Sequence, residues 1–183
     1  YKFKENLIID AGNSGTLGRL IPALLVQSPK KIKLIGDKSL SKRDFSRVID
    51  PLTKFGVTFF PKNKKTLPLI IKGTNFVRPI KYFENRGSAQ CKSSVMLAAL
   101  NSPGKTIIKA KKSRDHTEIF FKYLKVPIKI KKTKEHDVIE VYGKNQFKSF
   151  NYNIPSDVSS SAFFIVLTLL SKNSSLLIKG VNI

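Results

Sequence analysis

The sequence has one cysteine, one methionine, two histidines and no tryptophan in 183 residues. The lone Cys91 excludes an internal disulfide and any multi-cysteine zinc site, and it suits a reducing cytoplasm. Neither His116 nor His136 has a partner at metal-ligand spacing, and no HExxH, CxxC or GxxxxGKS/T pattern occurs. Metal and nucleotide-triphosphate chemistry therefore have no signature in the sequence. Long apolar runs are also missing. The longest, residues 162–170, is interrupted by Thr168 and falls well short of the roughly 20 residues a spanning helix needs, so a soluble, non-membrane protein is expected. The first residue is Tyr1, with no signal-peptide pattern behind it, and the last is Ile183 directly after a strand-like run; both ends read as cut edges.

Acidic residues are scarce: 12 Asp and Glu stand against 34 Lys and Arg, for a formal charge of +22. Such a balance raises nucleic acid, anionic membranes and acidic small molecules as partners. The distribution argues for solvated lysines and small anions. Lys62, Lys64 and Lys65, then Lys109, Lys111 and Lys112, then Lys129, Lys131 and Lys132 are spread through loops and strand faces, without the interleaved arginines and aromatics that stack bases. A lysine-rich nucleic-acid module is the alternative from a different class, and it predicts tight, steeply salt-dependent binding.

Hydrophobic periodicity places a helix from about residue 16, with Leu17, Leu20, Ile21, Leu24 and Leu25 on one face. A strand follows at 31–35. A second helix begins near Asp44 with Phe45, Val48, Ile49 and Leu52 inward, kinks at Pro51 and ends at Gly56. Strands are expected at 57–60 and 67–72. The same order then recurs: helix 89–100, strand 106–110, helix 117–124, and strands 126–131 and 138–142. Gly15 and Ser88 are 73 positions apart, Arg43 and Asp115 are 72 apart, and Gly73 and Gly143 are 70 apart. A third copy opens near 157, where Ser156 and Asp157 can cap an apolar helix at 158–170, with a strand expected at 175–179. The fold class is therefore α/β, built of repeated βαβαββ units of about 70 residues that share a core, which is longer than a solenoid repeat.

Four strand-to-helix turns carry the chemistry-bearing residues. The first is Asp10-Ala11-Gly12-Asn13-Ser14-Gly15-Thr16, and the second runs from Gly36 to Arg43 with a guanidinium fork suited to carboxylate or phosphate. The third is Arg86-Gly87-Ser88-Ala89-Gln90-Cys91-Lys92-Ser93-Ser94, and the fourth is Ser113-Arg114-Asp115-His116-Thr117-Glu118. Unpaired first-turn amides make helix N-termini ready sites for phosphate or carboxylate. Ser113, Asp115 and His116 are too close together at a helix start to form a relay triad, and capping is the better account of them. Cys91, in a helix of apolar and small residues, reads as a buried and inert thiol.

The successive blocks DAGNSGTLGRL, GDKSLSKRDFSRVIDPLTKFG, GSAQCKSSVMLAAL, SRDHTEIFFKYL and PSDVSSSAFF resemble, in order and spacing, those of the 5-enolpyruvylshikimate-3-phosphate synthase family, over essentially the whole chain. The resemblance implies the enolpyruvyl transferase fold, an inside-out α/β barrel of two domains, each of three βαβαββ units. Residues 1–154 would be most of one domain, with units at about 1–73 and 74–143, and 155–183 a partial segment of the second.

The activity it implies is transfer of the enolpyruvyl group of phosphoenolpyruvate to the 5-hydroxyl of shikimate 3-phosphate, without metal or cofactor, by a monomeric cytoplasmic enzyme of the shikimate pathway. It implies phosphoenolpyruvate binding by Gly15, Thr16, Arg43 and Gln90, and shikimate 3-phosphate binding by Ser88, Ala89, Gln90, Ser113 and Arg114. The family's catalytic acid and base fall outside this segment, so the chain alone is expected to be inactive. Gly15 stands where some members carry alanine, which implies a glyphosate-sensitive parent. Departures are Asp44 in place of a proline, Ser156 in place of a glycine, and Leu17-Gly18 at the first helix start. The related transferase acting on UDP-N-acetylglucosamine is the nearer alternative, and the SAQ and SRDHTE blocks favour shikimate 3-phosphate.

Overall fold

A computed structural model describes residues 7–143 and 149–180. The chain divides into two compact units, residues 1–146 and 147–183. In the first unit, strands β1 (Ile8–Asp10), β2 (Lys31–Ile35), β3 (Thr58–Phe60) and β4 (Leu69–Lys72) form a sheet in the order β1-β2-β4-β3. Strands β5 (Lys81–Glu84), β6 (Lys105–Lys111), β7 (Ile128–Lys132) and β8 (His136–Tyr142) form a second sheet in the order β5-β6-β8-β7. Helices α1 (Gly15–Leu24) and α2 (Ser46–Phe55) belong to the first repeat, and α3 (Ala89–Ala99) and α4 (His116–Tyr123) to the second. In each sheet the first two strands pair in parallel and the other neighbours antiparallel, so the repeated βαβαββ order seen in the sequence is a repeated topology.

Alternation along the strands explains the basic composition. In β2, Ile32 and Leu34 are buried while Lys31 and Lys33 are exposed. In β6, Thr106, Ile108 and Ala110 are buried while Lys105, Lys109 and Lys111 are exposed. With a period of two, one sheet face packs on helices and the other carries lysine into water. Among the described residues, every buried apolar side chain lies between Ala11 and Val141, in one continuous core.

Helix α3 is the centre of that core. Eight of its residues are buried, including Val95, Met96, Ala98 and Ala99, and it packs on α1, α2 and β6. A helix enclosed on nearly all sides needs small and apolar residues all round. The neighbouring α1 meets this crowding differently from the expected face. Leu17 and Leu24 are exposed, whereas Gly18, Pro22 and Ala23 are buried. Gly18 leaves room for the aromatic side chain at the start of α2, since a Cβ there would sit 3.2 Å from the Phe45 ring. Helix α2 follows expectation: Val48, Pro51, Leu52 and Phe55 are buried, and Gly56 at φ 108° ends it. The short 3₁₀ turn Leu40–Lys42 and the exact strands β1 and β5 were not resolved by periodicity.

The second unit holds helix α5 (Val158–Leu170), capped by the Asp157 side chain accepting from the Ser159 amide. None of its residues is buried, and Phe163 and Leu170 are 82% and 81% exposed. Residues 175–179, expected as a strand, pair with no strand among the described residues. An extended segment becomes a strand only when a neighbour takes its backbone hydrogen bonds.

Each repeat of the first unit closes on a glycine pressed against a helix end. A Cβ on Gly73 would lie 2.5 Å from the Leu25 carbonyl oxygen, and one on Gly143 would lie 2.1 Å from that of Ala99. The obstacle is backbone in both cases and cannot rotate away. Gly143→Ala is expected to destabilise the chain by about 2–4 kcal/mol, the cost of overpacking against fixed backbone. Urea denaturation measures this, and Gly104→Ala gives the contrast: its Cβ would meet nothing, and only its positive φ of 89° opposes the change.

Candidate functional site

The four turns singled out in the sequence all lie in the first unit. Ser14 caps α1 by accepting from the Leu17 amide at 3.1 Å, and Ser88 caps α3 by accepting from the Cys91 amide at 3.3 Å. Both helices therefore begin with a satisfied cap and leave their first-turn amides, at Gly15 and Thr16 and at Ala89 and Gln90, without intrahelical acceptors. The two starts are joined directly. The Gln90 side-chain amide donates to the Thr16 hydroxyl at 2.7 Å, while Arg19 donates to the Gln90 oxygen at 2.9 Å and to the Gly15 carbonyl at 3.2 Å. Arg19 also lies over the Phe45 ring, 5.7 Å from its centroid. The second guanidinium of this cluster is Arg43, whose Nη1 lies 3.1 Å from where a Gly15 Cβ would be.

Arg43 also lines an open depression of about 640 Å³ with Asp37, Lys38, Ser39 and Lys42. Asp37 organises its wall. One carboxylate oxygen accepts from the Leu40 amide at 2.7 Å, the other from the Asn13 amide at 2.5 Å, and the Asp37 amide donates to the Gly12 carbonyl. The Leu40 N–H and then the Asn13 amide hold the Asp37 carboxyl below its usual range.

Gly87, Ser88, Ala89, Gln90, Ser113 and Arg114 line a second depression of about 540 Å³. All five residues expected to hold shikimate 3-phosphate thus share one concavity, and Gln90 connects it to Thr16 beside Gly15. The Ser113 hydroxyl is buried and has no hydrogen-bond partner among the described residues. A buried hydroxyl without a partner is costly, and a bound polar group would satisfy it. Asp115 stands at the N-cap of α4 without a side-chain cap bond and lies 3.6 Å from Lys132, so the expected capping role is not made through its carboxylate.

Several supporting residues escaped the sequence reading. Glu84, 2% exposed at the end of β5, accepts from Arg47 of α2, from the Ser88 amide at 2.9 Å and from the Arg86 amide at 3.3 Å. It thereby fixes the turn that delivers Ser88. Arg19 was legible as the one charge in α1, a helical turn after Gly15. Glu84 had no local signal, because its partner Arg47 is 37 residues away.

Two outcomes follow. Glu84→Ala strands the Ser88 and Arg86 amides, and it is expected to lower stability by about 2–3 kcal/mol in urea denaturation. The lowered Asp37 carboxyl contributes stability that is present above its unfolded value and lost as pH falls through its folded one. Asp37→Asn should therefore cost stability at neutral pH and almost none near pH 2, which flattens the acid limb of the profile measured between about pH 2 and 7.

Comparison with known proteins gives the family of the chain. The family model described as EPSP synthase (3-phosphoshikimate 1-carboxyvinyltransferase) matches residues 1–183. The 3-phosphoshikimate 1-carboxyvinyltransferase of Petrotoga mobilis is 43% identical over 189 residues, covering 100% of this chain and 43% of that protein. That of Paracoccus denitrificans is 40% identical over 176 residues, covering 96% of this chain and 40% of that protein. A solved EPSP synthase from Acinetobacter baumannii superposes with a TM-score of 0.76 at 31% identity, covering 97% of this chain and 40% of that one. The chain thus spans about two fifths of the length of these relatives. Over all of its 183 residues, the chain belongs to the EPSP synthase (3-phosphoshikimate 1-carboxyvinyltransferase) family.

Proposed function

We propose that this chain supplies the anion-binding turns of an enzyme that transfers the enolpyruvyl group of phosphoenolpyruvate to shikimate 3-phosphate. The observation that carries the reading is the Gln90 bridge: one side chain lines the depression with Ser88, Ser113 and Arg114 and also bonds to Thr16 beside Gly15. Shikimate 3-phosphate is held by Ser88, Ala89, Gln90, Ser113 and Arg114, with the Arg114 fork and the Ser113 hydroxyl on its phosphate. Phosphoenolpyruvate lies by Gly15, Thr16, Arg43 and Gln90.

The transfer joins the shikimate 5-oxygen to C2 of phosphoenolpyruvate as the hydroxyl gives up its proton to a base and an acid protonates the methylene carbon. The resulting ketal then loses phosphate from C2 and a proton from the methyl carbon, restoring the double bond. These turns contribute binding and orientation: fixed amides and guanidiniums neutralise two polyanions and hold the 5-oxygen against C2. The acid and base that move the protons are assigned to the rest of the protein, so the chain by itself does not turn over substrate. Residues 1–154 constitute most of one domain and 155–183 a part of the second. The whole enzyme acts as a cytoplasmic monomer, without cofactor, specific nucleic acid or membrane. No helix among the described residues is long and apolar enough to cross a membrane.

In the protein at its natural full length, Arg114→Ala should raise the Kd for shikimate 3-phosphate by about 10- to 100-fold, the worth of a charge-assisted pair. Titration calorimetry reads this, and an unchanged Kd would remove Arg114 from the site. Gly15→Ala puts a methyl 2.7 Å from Arg19 Nη1 and 3.1 Å from Arg43 Nη1. It should raise KM for phosphoenolpyruvate more than that for shikimate 3-phosphate in a phosphate-release assay.

A further inference from the structure

Each of the two helices that open on the site carries a single charged residue, about one turn in from its start: Arg19 in α1 and Lys92 in α3. Arg19 reaches Gly15 and Gln90 and is part of the binding surface already described. Lys92 is different, because its side chain is 1% exposed and is not part of the lining that Ser113 and Arg114 share. Its ammonium lies 2.5 Å from a Glu118 carboxylate oxygen and donates to the Arg114 carbonyl at 2.9 Å. Glu118 is itself buried, with its side chain 4% exposed, and its second carboxylate oxygen has no hydrogen-bond partner among the described residues. Beside the pair, the Ser93 and Thr117 hydroxyls lie 2.6 Å apart and make a second polar tie between α3 and α4.

A buried ion pair seldom adds stability over an apolar pair of the same volume, because removing both charges from water costs as much as their attraction returns. This one also leaves a carboxylate oxygen unsatisfied, a further cost. Its specific product is the third contact. Residues 112–114 lie between the end of β6 and the start of α4, and the Lys92 ammonium anchors the main chain of this turn to the buried helix α3. The position of the Arg114 carbonyl sets where the Arg114 Cα, and hence its guanidinium, stands at the depression it shares with Ser113.

We propose that Lys92 is a positioning residue for the anion site: paired with Glu118, it grips the Arg114 carbonyl from beneath and so aims Arg114 and Ser113 at the phosphate of the shikimate substrate. The inference rests on the assignment of Arg114 to that substrate. It makes Lys92 selective for one of the two ligands, since Arg43 and Gly15 have no contact with the pair. A purely structural role would affect both ligands equally, through loss of fold.

The test compares wild type, Arg114→Ala and the double variant Lys92→Met/Glu118→Gln in the protein at its natural full length. The double variant keeps volume and leaves no unpaired buried charge. Shikimate 3-phosphate is titrated by calorimetry, KM is measured for both substrates, and thermal unfolding monitors the fold. The expected result is a Kd for shikimate 3-phosphate raised by about tenfold, the worth of one lost hydrogen-bonded restraint. The KM for phosphoenolpyruvate should stay within about twofold of wild type.

If wild type fails to bind, or Arg114→Ala binds as wild type does, the substrate assignment falls and this inference falls with it. If wild type binds and Arg114→Ala weakens that binding while the double variant binds shikimate 3-phosphate normally, or loses both substrates equally, the positioning role alone is overturned. Should the double variant not fold, Lys92→Met/Glu118→Leu, which removes the grip and leaves no polar group of the pair buried, is judged by the same two readouts.

Discussion

The site depends on one contact, the link between the starts of α1 and α3 through Thr16, Gln90, Arg19 and the Gly15 carbonyl. Two helix N-termini present unsatisfied amides, and amides alone discriminate poorly among anions. The Gln90 and Arg19 bridge converts them into a shared surface by fixing the distance between repeats. The core is arranged to make that contact possible. Helix α3 is buried on nearly every side, and α1 turns its small residues Gly18, Pro22 and Ala23 inward, so that the side chains near the helix starts can reach each other.

Much of this was legible in the residues. The alternation of Ile32 and Leu34 with Lys31 and Lys33 marks the strand and its buried face, and Ser88 and Asp157 announce the helices they cap. The repeat was legible because each copy spends its glycines, caps and closing turn at the same places, and Gly73 and Gly143 are pressed against helix ends in the same way. Eight residues chosen from sequence and family resemblance lie at four neighbouring turns, with Ser88, Ala89, Gln90, Ser113 and Arg114 around one depression.

What was not legible was set by distance along the chain. The leucine pattern of α1 points to Leu17 and Leu24, yet both are exposed, because Gly18, Pro22 and Ala23 take the inward face. Glu84 gives no local sign that it will receive Arg47, and Lys92 none that it will receive Glu118, since each partner comes from another element. Residues 175–179 have a strand's composition but no neighbour to pair with among the described residues. A strand is a property of two segments, and sequence periodicity reports on one.

The electrostatics divide in the same manner. Most of the +22 charge is carried on outer sheet faces and loops, where lysine is solvated and contributes little to stability. Among the cations that are held, Arg19, Arg47 and Lys92 each bond to a named oxygen at or beneath the anion-binding turns. The most direct measurement of the central claim is a crystal structure of the natural full-length protein with shikimate 3-phosphate and phosphoenolpyruvate bound. The account predicts the shikimate phosphate on Ser113 and Arg114, phosphoenolpyruvate by Gly15 and Arg43, and Gln90 in contact with both. Either ligand seated away from these turns, or Gln90 detached from Thr16 and touching neither, would contradict it.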